Sequence, residues 1–341
     1  MKWLRYIGIV LGAAFLFAGC DVHELPHGSA DVAVTIRFSY EMPIEQWKTV
    51  TLTTRNGMAQ ERDYEIRHIV RLYPYTGESY SRTPAYSFIY NEEYSDNPDH
   101  EITLSVAPAN YRVFAWTDYV EKGSGNELFY SADDFAEVTF TSLYEGAQQY
   151  RDAFRGSKDL RLAKYNYNGA STSTEIEMSR PLARYNFIAT DKNQFITYWK
   201  QQLALRKVPP VRSNDAPDID LNKFKVRFIY PQYLPSAYNL FTDRPVDSKL
   251  GISFDTVMSL RDDGDVDIGF DYVFVNGKES KVIVSLSIYD ENWEYISTVH
   301  NVEVPLLRGH QTTVKGKFLT NGISSGVTIN PEYEDEYNIY L

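Results

Sequence analysis

The feature that most constrains the fold is an alternation of apolar and polar residues with a period of two. In "DVAVTIRFSY" every second side chain is apolar, and the residues between them are mostly polar. The segment "NKFKVRFIY" has the same pattern. This period is typical of a β-strand with one buried face. The shared faces hold Val32, Val34, Ile36, Phe38 and Tyr40 in the first segment and Phe224, Val226, Phe228 and Tyr230 in the second.

Strand patterns recur along most of the chain, and helical patterns are few. The segment "KNQFITYWKQQLALRKVPP" predicts a helix, because Phe195, Trp199 and Leu203 recur every four residues and two prolines end the pattern. The segment "EGAQQYRDAFRGSKDL" lacks alternation and predicts a short helix or an ordered loop. Short strands with turns about ten residues apart are typical of β-sandwiches. The sequence therefore predicts an all-β fold with one or two short helices. The other predicted strands are "EIRHIVRLYPY", "HEITLSVAP", "NYRVFAWTDYV", "FAEVTFTS", "STEIEMSRPLARYNFIATD", "GISFDTVMSL", "VDIGFDYVFVNG", "SKVIVSLSIYD", "EYISTVHNVEVPL" and "HQTTVKGKFLT".

The length of 341 residues suits two domains better than one. We place an N-terminal β-sandwich at residues 31–178 and a C-terminal β-sandwich at residues 179–341. An alternative boundary lies in the proline-rich stretch at residues 208–218. No short internal repeat is evident.

The N-terminus resembles a bacterial lipoprotein signal at residues 1–19. Basic residues open it, an apolar run from Ile7 to Ala18 follows, and small residues precede Cys20, the only cysteine. The run is too short for a membrane-spanning helix, which needs about 20 residues. Cleavage before Cys20 would expose a thiol and an amino group for acylation, and residues 20–30 would form a polar tether. The alternative is a plain secreted protein with a stray thiol.

Composition argues against several classes of function. The net charge of −12 becomes −14 without the leader, and no basic run exists to bind nucleic acid. Phosphate-loop, dinucleotide-binding and serine-hydrolase glycine patterns are missing, so we predict no enzyme, no cofactor and no catalytic residue. The six histidines show no zinc-ligand spacing in the folded body, and we predict no metal site. Asp263, Asp265 and Asp267 resemble the opening of a calcium loop, but a solvated turn or edge explains them as well.

An ordered set of motifs points to a known family. These are "PANYRVFAWTDY", "YRDAFRG", "MSRPLARYNF", "GFDYVFVNG", "VPLLRGHQTTVKGKFLT" and "GVTINPEY". Together with the cysteine signal they resemble the fimbrillin-related lipoproteins of Bacteroidetes, the superfamily of type V pili. They look closest to its anchor or accessory branch, whose members are often described only as a domain of unknown function.

The resemblance implies two tandem transthyretin-like β-sandwiches and a role in adhesion or assembly. It implies a location at the outer membrane, held by lipid on Cys20 and facing the cell surface. It also implies pilin partners that join by β-strand addition. In polymerising members a protease that cuts after arginine removes the first strand, which "DVAVTIRFSY" matches. Arg55 and Arg62 are the candidate cutting sites, and ordinary surface arginines in a loop are the alternative. The tail from Gly326 to Leu341 matches the donor segment, although Pro331 and five acidic residues make it a poor continuous strand.

A second hypothesis is a surface lipoprotein that binds glycans, including those of a host, for nutrient uptake. It requires an exposed aromatic platform. The tyrosine-rich stretch at residues 73–94 is the best candidate, but tyrosines between sandwich strands often only pack. The C-terminal segment "PEYEDEYNIYL" also has two interpretations. It is either an aromatic platform for glycans or a terminal strand whose acidic side chains face water.

Overall fold

The computed structural model describes residues 31–40, 50–53, 59–62, 64–93, 100–141, 144–206, 212, 218–320 and 338–340. These residues form an all-β, sandwich-type fold with one α-helix, as the alternating pattern predicts. Strands β1 to β12 are Val32–Tyr40, Val50–Thr53, Ala59–Arg62, Tyr64–Thr76, Ser79–Tyr80, Tyr86–Glu92, Glu101–Val106, Asn110–Glu121, Tyr130–Ser131, Val138–Phe140, Phe154–Arg161 and Ser171–Ser179. Strands β13 to β23 are Leu182–Ala189, Lys225–Ile229, Leu234–Asn239, Arg244–Lys249, Ser253–Val257, Ser259–Leu260, Val266–Phe274, Glu279–Tyr289, Tyr295–Leu307, Gln311–Gly316 and Asn338–Tyr340.

The single α-helix of the described residues, α1, spans Lys192–Arg206 and confirms the four-residue apolar spacing. Its Phe195 and Trp199 are buried and meet the ring of Phe224 edge-on, at centroid distances of 5.2 and 5.6 Å. The helix therefore covers one end of the buried core in the second half of the chain. Three short 3₁₀ turns lie at Gln149–Arg151, Ala163–Tyr165 and Leu221–Lys223. No helix in the described ranges is long and apolar enough to cross a membrane.

The first half of the chain folds around one eight-stranded sheet. Its strand order is β5-β4-β8-β11-β12-β1-β7, and β6 pairs with β4 beside β5. Strands β6 and β7 are consecutive in sequence but lie towards opposite ends of this order. Apolar side chains from strands across the whole sheet, from β4 to β7, pack into one buried cluster. The sheet therefore folds over on itself and encloses the first core.

The second half forms a sandwich of two sheets. One has the order β18-β19-β13-β22-β23, and the other has the order β17-β14-β20-β21. Rings from the two sheets meet in a second buried cluster, for example Phe187 on β13 and Phe228 on β14 at a centroid distance of 5.8 Å. Gly269 on β19 has φ of 144°, and a Cβ there would lie 2.9 Å from the Phe228 ring, so glycine permits this close sheet packing.

Each half places its first strand parallel to its last long strand. Strand β1 pairs in parallel with β12, and β13 pairs in parallel with β22. This shared arrangement is a structural repeat that the sequence did not reveal.

The two halves share structure at their junction. A four-stranded sheet, β16-β15-β10-β9, takes two strands from each half of the chain. The first core also includes Tyr238, Leu240 and Phe274 from the second half. The turn between β12 and β13 coincides with the predicted boundary near residue 179, but the division into two domains stays a prediction.

A buried polar network crosses this junction. The Arg151 guanidinium pairs with the Asp271 carboxylate, and both side chains are almost fully buried. Asp271 also accepts hydrogen bonds of 2.6 Å from the hydroxyls of Tyr144 and Tyr230. Burial raises the pKa of Asp271, and the charge of Arg151 and the tyrosine hydrogen bonds oppose that rise. Removing one partner would leave a buried charge without compensation.

A second polar cluster at the junction centres on Asp243. Its carboxylate lies 3.0 Å from Arg155 Nε in the first half and 2.9 Å from Arg308 Nη2 in the second. The Tyr238 hydroxyl also donates a hydrogen bond to it, at 2.5 Å. Asp243 has a positive φ of 58°, a conformation in which Asp and Asn are among the most tolerated residues.

Two local predictions were wrong. The stretch predicted as a short helix or ordered loop contains strand β11 from Phe154, preceded by a single 3₁₀ turn. Gly156 interrupts the alternation because it has no side chain. A Cβ there would lie 2.6 Å from Ile176 Cγ2 and 2.7 Å from the Glu177 carbonyl oxygen, so the close packing requires glycine. The tyrosine-rich stretch is not a loop either, since most of it lies in β4, β5 and β6.

Candidate functional site

The first strand, β1, lies inside its sheet with a partner on each side. It pairs in parallel with β12, from Ala33 opposite Ser171 to Tyr40 opposite Met178. It pairs in antiparallel fashion with β7, from Val32 opposite Val106 to Arg37 opposite Glu101. Removing β1 would therefore expose the backbone groups of two strands at once, which is the geometry that accepts an added strand.

The alternating side chains of β1 divide between the core and the surface. Val32, Val34, Ile36 and Phe38 are at most 4% exposed. On the outer face the Arg37 guanidinium lies 3.0 Å from the Glu101 carboxylate, and the Thr35 and Thr103 hydroxyls are hydrogen-bonded at 3.0 Å. Burying an aliphatic or aromatic side chain contributes about 1.5–3 kcal/mol. The four buried side chains together therefore stabilise β1 in its place by on the order of 10 kcal/mol.

A polar cluster lies at the C-terminal end of β1. The ring of Phe38 stacks on the buried ring of His68 at a centroid distance of 4.7 Å. Tyr40 meets the ring of His100 edge-on at 5.1 Å, and the Phe38 N–H donates to the His100 carbonyl oxygen at 2.8 Å. The end of β1 is therefore fastened to the histidines on β4 and just before β7.

One carboxylate joins these two histidines. Glu92 Oε2 lies 3.2 Å from His68 Nε2 and 2.8 Å from His100 Nδ1. Burial raises the pKa of Glu92, but hydrogen bonds from His100 and His68 outweigh that effect and lower it to about 2. Burial lowers the pKa of His68, and the hydrogen bond and charge of Glu92 oppose this only in part. Glu92 is thus ionised near pH 7 and His68 is neutral.

In the second half, β13 and β22 correspond to β1 and β12, but the outer neighbour of β22 is of a different kind. Strand β22 pairs in parallel with β13 on one side and with β23 on the other. The tail strand β23 is only three residues long, with Asn338 opposite Thr313 and Tyr340 opposite Lys315. In the first half the corresponding side of β12 is occupied by β11 of the same half.

The described residues do not bring together the predicted protease-cutting sites and the predicted lipid-attachment site. Cys20 and Arg55 lie outside the described ranges. Arg62 ends β3 and pairs with Val50 in a two-stranded hairpin, and its role as a cutting site stays a prediction. The three aspartates divide between a turn and a strand. Asp263 pairs with Arg261 at 3.2 Å in the turn after β18, Asp265 lies 3.9 Å from Lys315, and Asp267 belongs to β19.

One group of exposed aromatic residues lies in the second half, outside the predicted platform, in which Tyr90 is itself 41% exposed. Tyr295 is 64% exposed and Trp293 is 38% exposed, and Tyr289 lies between them at ring distances of 6.2 and 5.4 Å. Lys225 Nζ and the Arg227 guanidinium lie 4.6 and 5.1 Å from the Trp293 ring centroid. In the predicted stretch, Tyr73 is buried and Tyr80 and Tyr86 pack against the first core.

A family model for a family of unknown function, DUF6562, matches residues 28–340. The chain belongs to DUF6562. This membership agrees with the resemblance to a branch described only as a domain of unknown function. No curated protein matches the chain in sequence.

Several solved structures from Bacteroidetes are similar to this DUF6562 chain. A candidate polysaccharide-binding protein (DUF1812) of Bacteroides thetaiotaomicron has a TM-score of 0.43 and 8% identity, over 79% of this chain and 80% of that one. A candidate adhesin of Bacteroides ovatus has a TM-score of 0.42 and 10% identity, over 87% and 91%. The fimbrial anchor protein Mfa2 of Porphyromonas gingivalis has a TM-score of 0.36 and 9% identity, over 79% and 82%. At this level of similarity none of them assigns a function to the DUF6562 chain.

The cluster of His68, Glu92 and His100 was missed in the sequence of the DUF6562 chain. The three residues are 24 and 8 positions apart and fall into separate strand patterns. The one available signal was His68, a polar side chain in the apolar run "IRHIVRLY". It occupies a position where a strand with two buried faces would carry an apolar residue.

Proposed function

We propose that this protein is a non-catalytic, lipid-anchored surface subunit of the fimbrial type. It acts as an anchor or accessory, adhesin-type subunit and joins pilin subunits by β-strand addition. The observation that carries the proposal is the contrast between two terminal strands. The long first strand β1 is buried between two partners, and the tail strand β23 is a short addition to the edge of β22.

The position of β1 favours a subunit that keeps its first strand. Of its nine residues, eight pair with β12 and six pair with β7, and four of its side chains lie in the core. Replacing it requires both ladders to separate and the apolar groove to open to water. An anchor has no need of that exchange, because it ends the row of subunits.

The position of β23 favours the tail as the exchangeable strand. A net backbone hydrogen bond contributes about 1 kcal/mol, so a three-residue ladder is weak beside that of β1. Its departure would free the tail to add to a partner and the β22 edge to accept a strand. In such additions the backbone ladder supplies affinity and the alternate side chains supply register.

Co-purification with pilin subunits tests strand addition. Full-length protein and a chain ending at residue 325 are expressed in the native host and isolated from its membranes. We expect the full chain to retain pilin subunits and the truncated chain to lose them. Lys249→Ala, at the exposed end of β16, is the matched control and should retain them. Equal retention by the truncated chain would refute an exchangeable tail.

Intact mass and N-terminal sequencing of the native protein test the anchor. The proposal expects an acylated Cys20 followed by an uncut chain in the outer membrane. A mature N-terminus directly after Arg55 or Arg62 would instead identify a polymerising or tip subunit that sheds β1.

The exposed aromatic group favours a second candidate function, surface glycan binding. Trp293, Tyr295 and Tyr289, flanked by Lys225 and Arg227, offer rings for stacking on sugars and cations for acidic groups. Saturable binding of a polysaccharide panel tests it. The double variant W293A/Y295A should lose binding, and Tyr233→Ala, which removes another exposed tyrosine, should keep it. Unchanged binding by the double variant would exclude this surface.

A further inference from the structure

The cluster at the end of β1 combines three side chains that ligate metal ions. One ligand atom from each of His68, Glu92 and His100 lies within 4.8 Å of the others. We infer that these three residues form a zinc-binding site, with His68 Nε2, His100 Nδ1 and a Glu92 carboxylate oxygen as ligands. The inference is independent of the proposed function.

The donor set fits zinc. Two imidazole nitrogens and one carboxylate oxygen are a known ligand combination for Zn²⁺, which leaves one position for water. Imidazole suits Zn²⁺ better than Mg²⁺ or Ca²⁺, which prefer oxygen ligands.

Two of the three ligand–ligand distances are close to those around a coordinated ion, and the third is within 4.8 Å. Zinc–ligand distances of about 2.0–2.2 Å place neighbouring ligands of a tetrahedron about 3.3 Å apart. Glu92 Oε2 lies 3.2 Å from His68 Nε2 and 2.8 Å from His100 Nδ1. Adjustments of less than an ångström therefore bring these two edges to a zinc geometry.

The surroundings of His68 provide the partner that a zinc-bound histidine requires. Its Nδ1 lies 2.9 Å from the Thr117 hydroxyl, whose oxygen can accept a hydrogen bond from Nδ1–H while Nε2 binds the ion. Such hydrogen bonds fix the tautomer and the ring orientation of metal-ligating histidines. Stacking on Phe38 holds the same ring from its face. The His100 side chain is 15% exposed and gives the site its contact with solvent.

The location gives the ion a structural role. His68 lies on β4 and Glu92 on β6, at one end of the first sheet, and His100 precedes β7 at the other end. Zinc at this cluster joins the two ends of the folded-over sheet. It also sits beneath Phe38 and Tyr40, so it secures the C-terminal end of β1.

The competing explanation is a hydrogen-bonded cluster with no affinity for metal. In that state the Glu92 carboxylate accepts hydrogen bonds from N–H groups of both histidines, and these buried polar groups are paired without an ion. Metal binding and ligand substitution separate the two explanations.

Titration of the chelator-treated, full-length protein with Zn²⁺ tests the inference. We expect one equivalent to bind, with a rise in Tm and, for Co²⁺ in its place, intense visible absorption of a tetrahedral site. His100→Ala, at the partly exposed ligand, should weaken zinc binding at least 100-fold and abolish the Tm shift. Thr117→Val should weaken it about 10–100-fold by removing the hydroxyl that orients the His68 ring.

His300→Ala is the matched control, because His300 is exposed on β21 and outside the cluster. It should bind zinc as the unaltered protein does. Circular dichroism shows whether each variant is folded, and Glu92→Gln replaces His100→Ala if the latter is not. The inference is overturned if the unaltered protein binds no stoichiometric zinc, or if a folded ligand variant binds it equally well.

Discussion

Gly156 shows how one missing side chain sets the approach of two strands. It lies on β11 against β12, where a Cβ would meet Ile176, Met178 and the Glu177 backbone at 2.6–2.7 Å. The backbone oxygen cannot rotate away as a side chain can. Gly156 is therefore required by close packing rather than by backbone conformation.

Substitution of this glycine should destabilise the protein. We expect Gly156→Ala to lower the free energy of unfolding by about 1–3 kcal/mol, the usual range for overpacking. Urea denaturation followed by circular dichroism measures the change. Lys158→Ala, at an exposed position two residues along β11, should leave stability within about 0.5 kcal/mol. A stability of Gly156→Ala equal to that of the control would contradict the close approach.

The contacts of Asp243 predict how the stability of the protein depends on pH. Burial raises its pKa, but hydrogen bonds from Arg308 and Tyr238 and the charge of Arg155 outweigh that effect and lower it overall. A carboxyl group with a lowered folded-state pKa contributes stability above its unfolded pKa of about 3.9, and loses it as the pH falls through the folded pKa.

We therefore expect Asp243→Asn to cost about 0.5–1.5 kcal/mol at pH 7, because the side chain is 40% exposed and solvent screens its ion pairs, and progressively less as the pH falls through the folded pKa. Asparagine tolerates the positive φ, so the change removes the charge with little backbone strain. Urea denaturation between pH 2 and pH 7 measures the difference, with the exposed Asp262→Asn as control. A difference between Asp243→Asn and the unaltered protein that does not change with pH would contradict this account.

At the scale of strands, β1 and β23 should differ in local stability. Amide hydrogen exchange detected by mass spectrometry measures it directly. We expect residues 34–38 of β1 to exchange only through global unfolding, because both sides of the strand are paired. Residues 338–340 should exchange far faster, since three residues pair with one edge. Comparable protection of the two strands would contradict the assignment of the tail as exchangeable.

The sequence predicted strands well where burial has a period of two, and less well elsewhere. The apolar face of β1 and the rings of α1 appear in the structure as the pattern indicates. Strand β11 was missed because Gly156 and its polar neighbours hide the alternation. The strands β15 and β16 were missed because they carry prolines and polar residues, and their pairing depends on β10 from the other half.

The sequence predicted strand β1 of the candidate site, but it did not predict the cluster of His68, Glu92 and His100. The strand β1 is local in sequence, so its pattern is complete within ten residues. The approach of His68, Glu92 and His100 depends on how the sheet folds over, and residues 24 and 8 positions apart carry no local sign of that. The same holds for Arg151 and Asp271, which are 120 residues apart.

At the scale of the whole molecule, the two halves should unfold together. They share the sheet β16-β15-β10-β9, and the Arg151–Asp271 pair links them through a buried site. We expect differential scanning calorimetry to show one cooperative transition for the unaltered protein. Arg151→Met should lower Tm strongly, because losing one partner of a buried pair costs about 3–5 kcal/mol. Two well-separated transitions in the unaltered protein would instead indicate halves that fold independently.

The orientation of β1 has a mechanical consequence. The chain enters this strand at Val32, and the two neighbouring ladders run along its length. Tension applied at Val32 along the strand axis acts on both ladders in shear, so their hydrogen bonds resist together. Tension across the axis opens them one after another from the end. In single-molecule pulling, a handle before Val32 should therefore rupture at higher force than one attached beyond Tyr340, where the short β23 lies at the edge of its sheet.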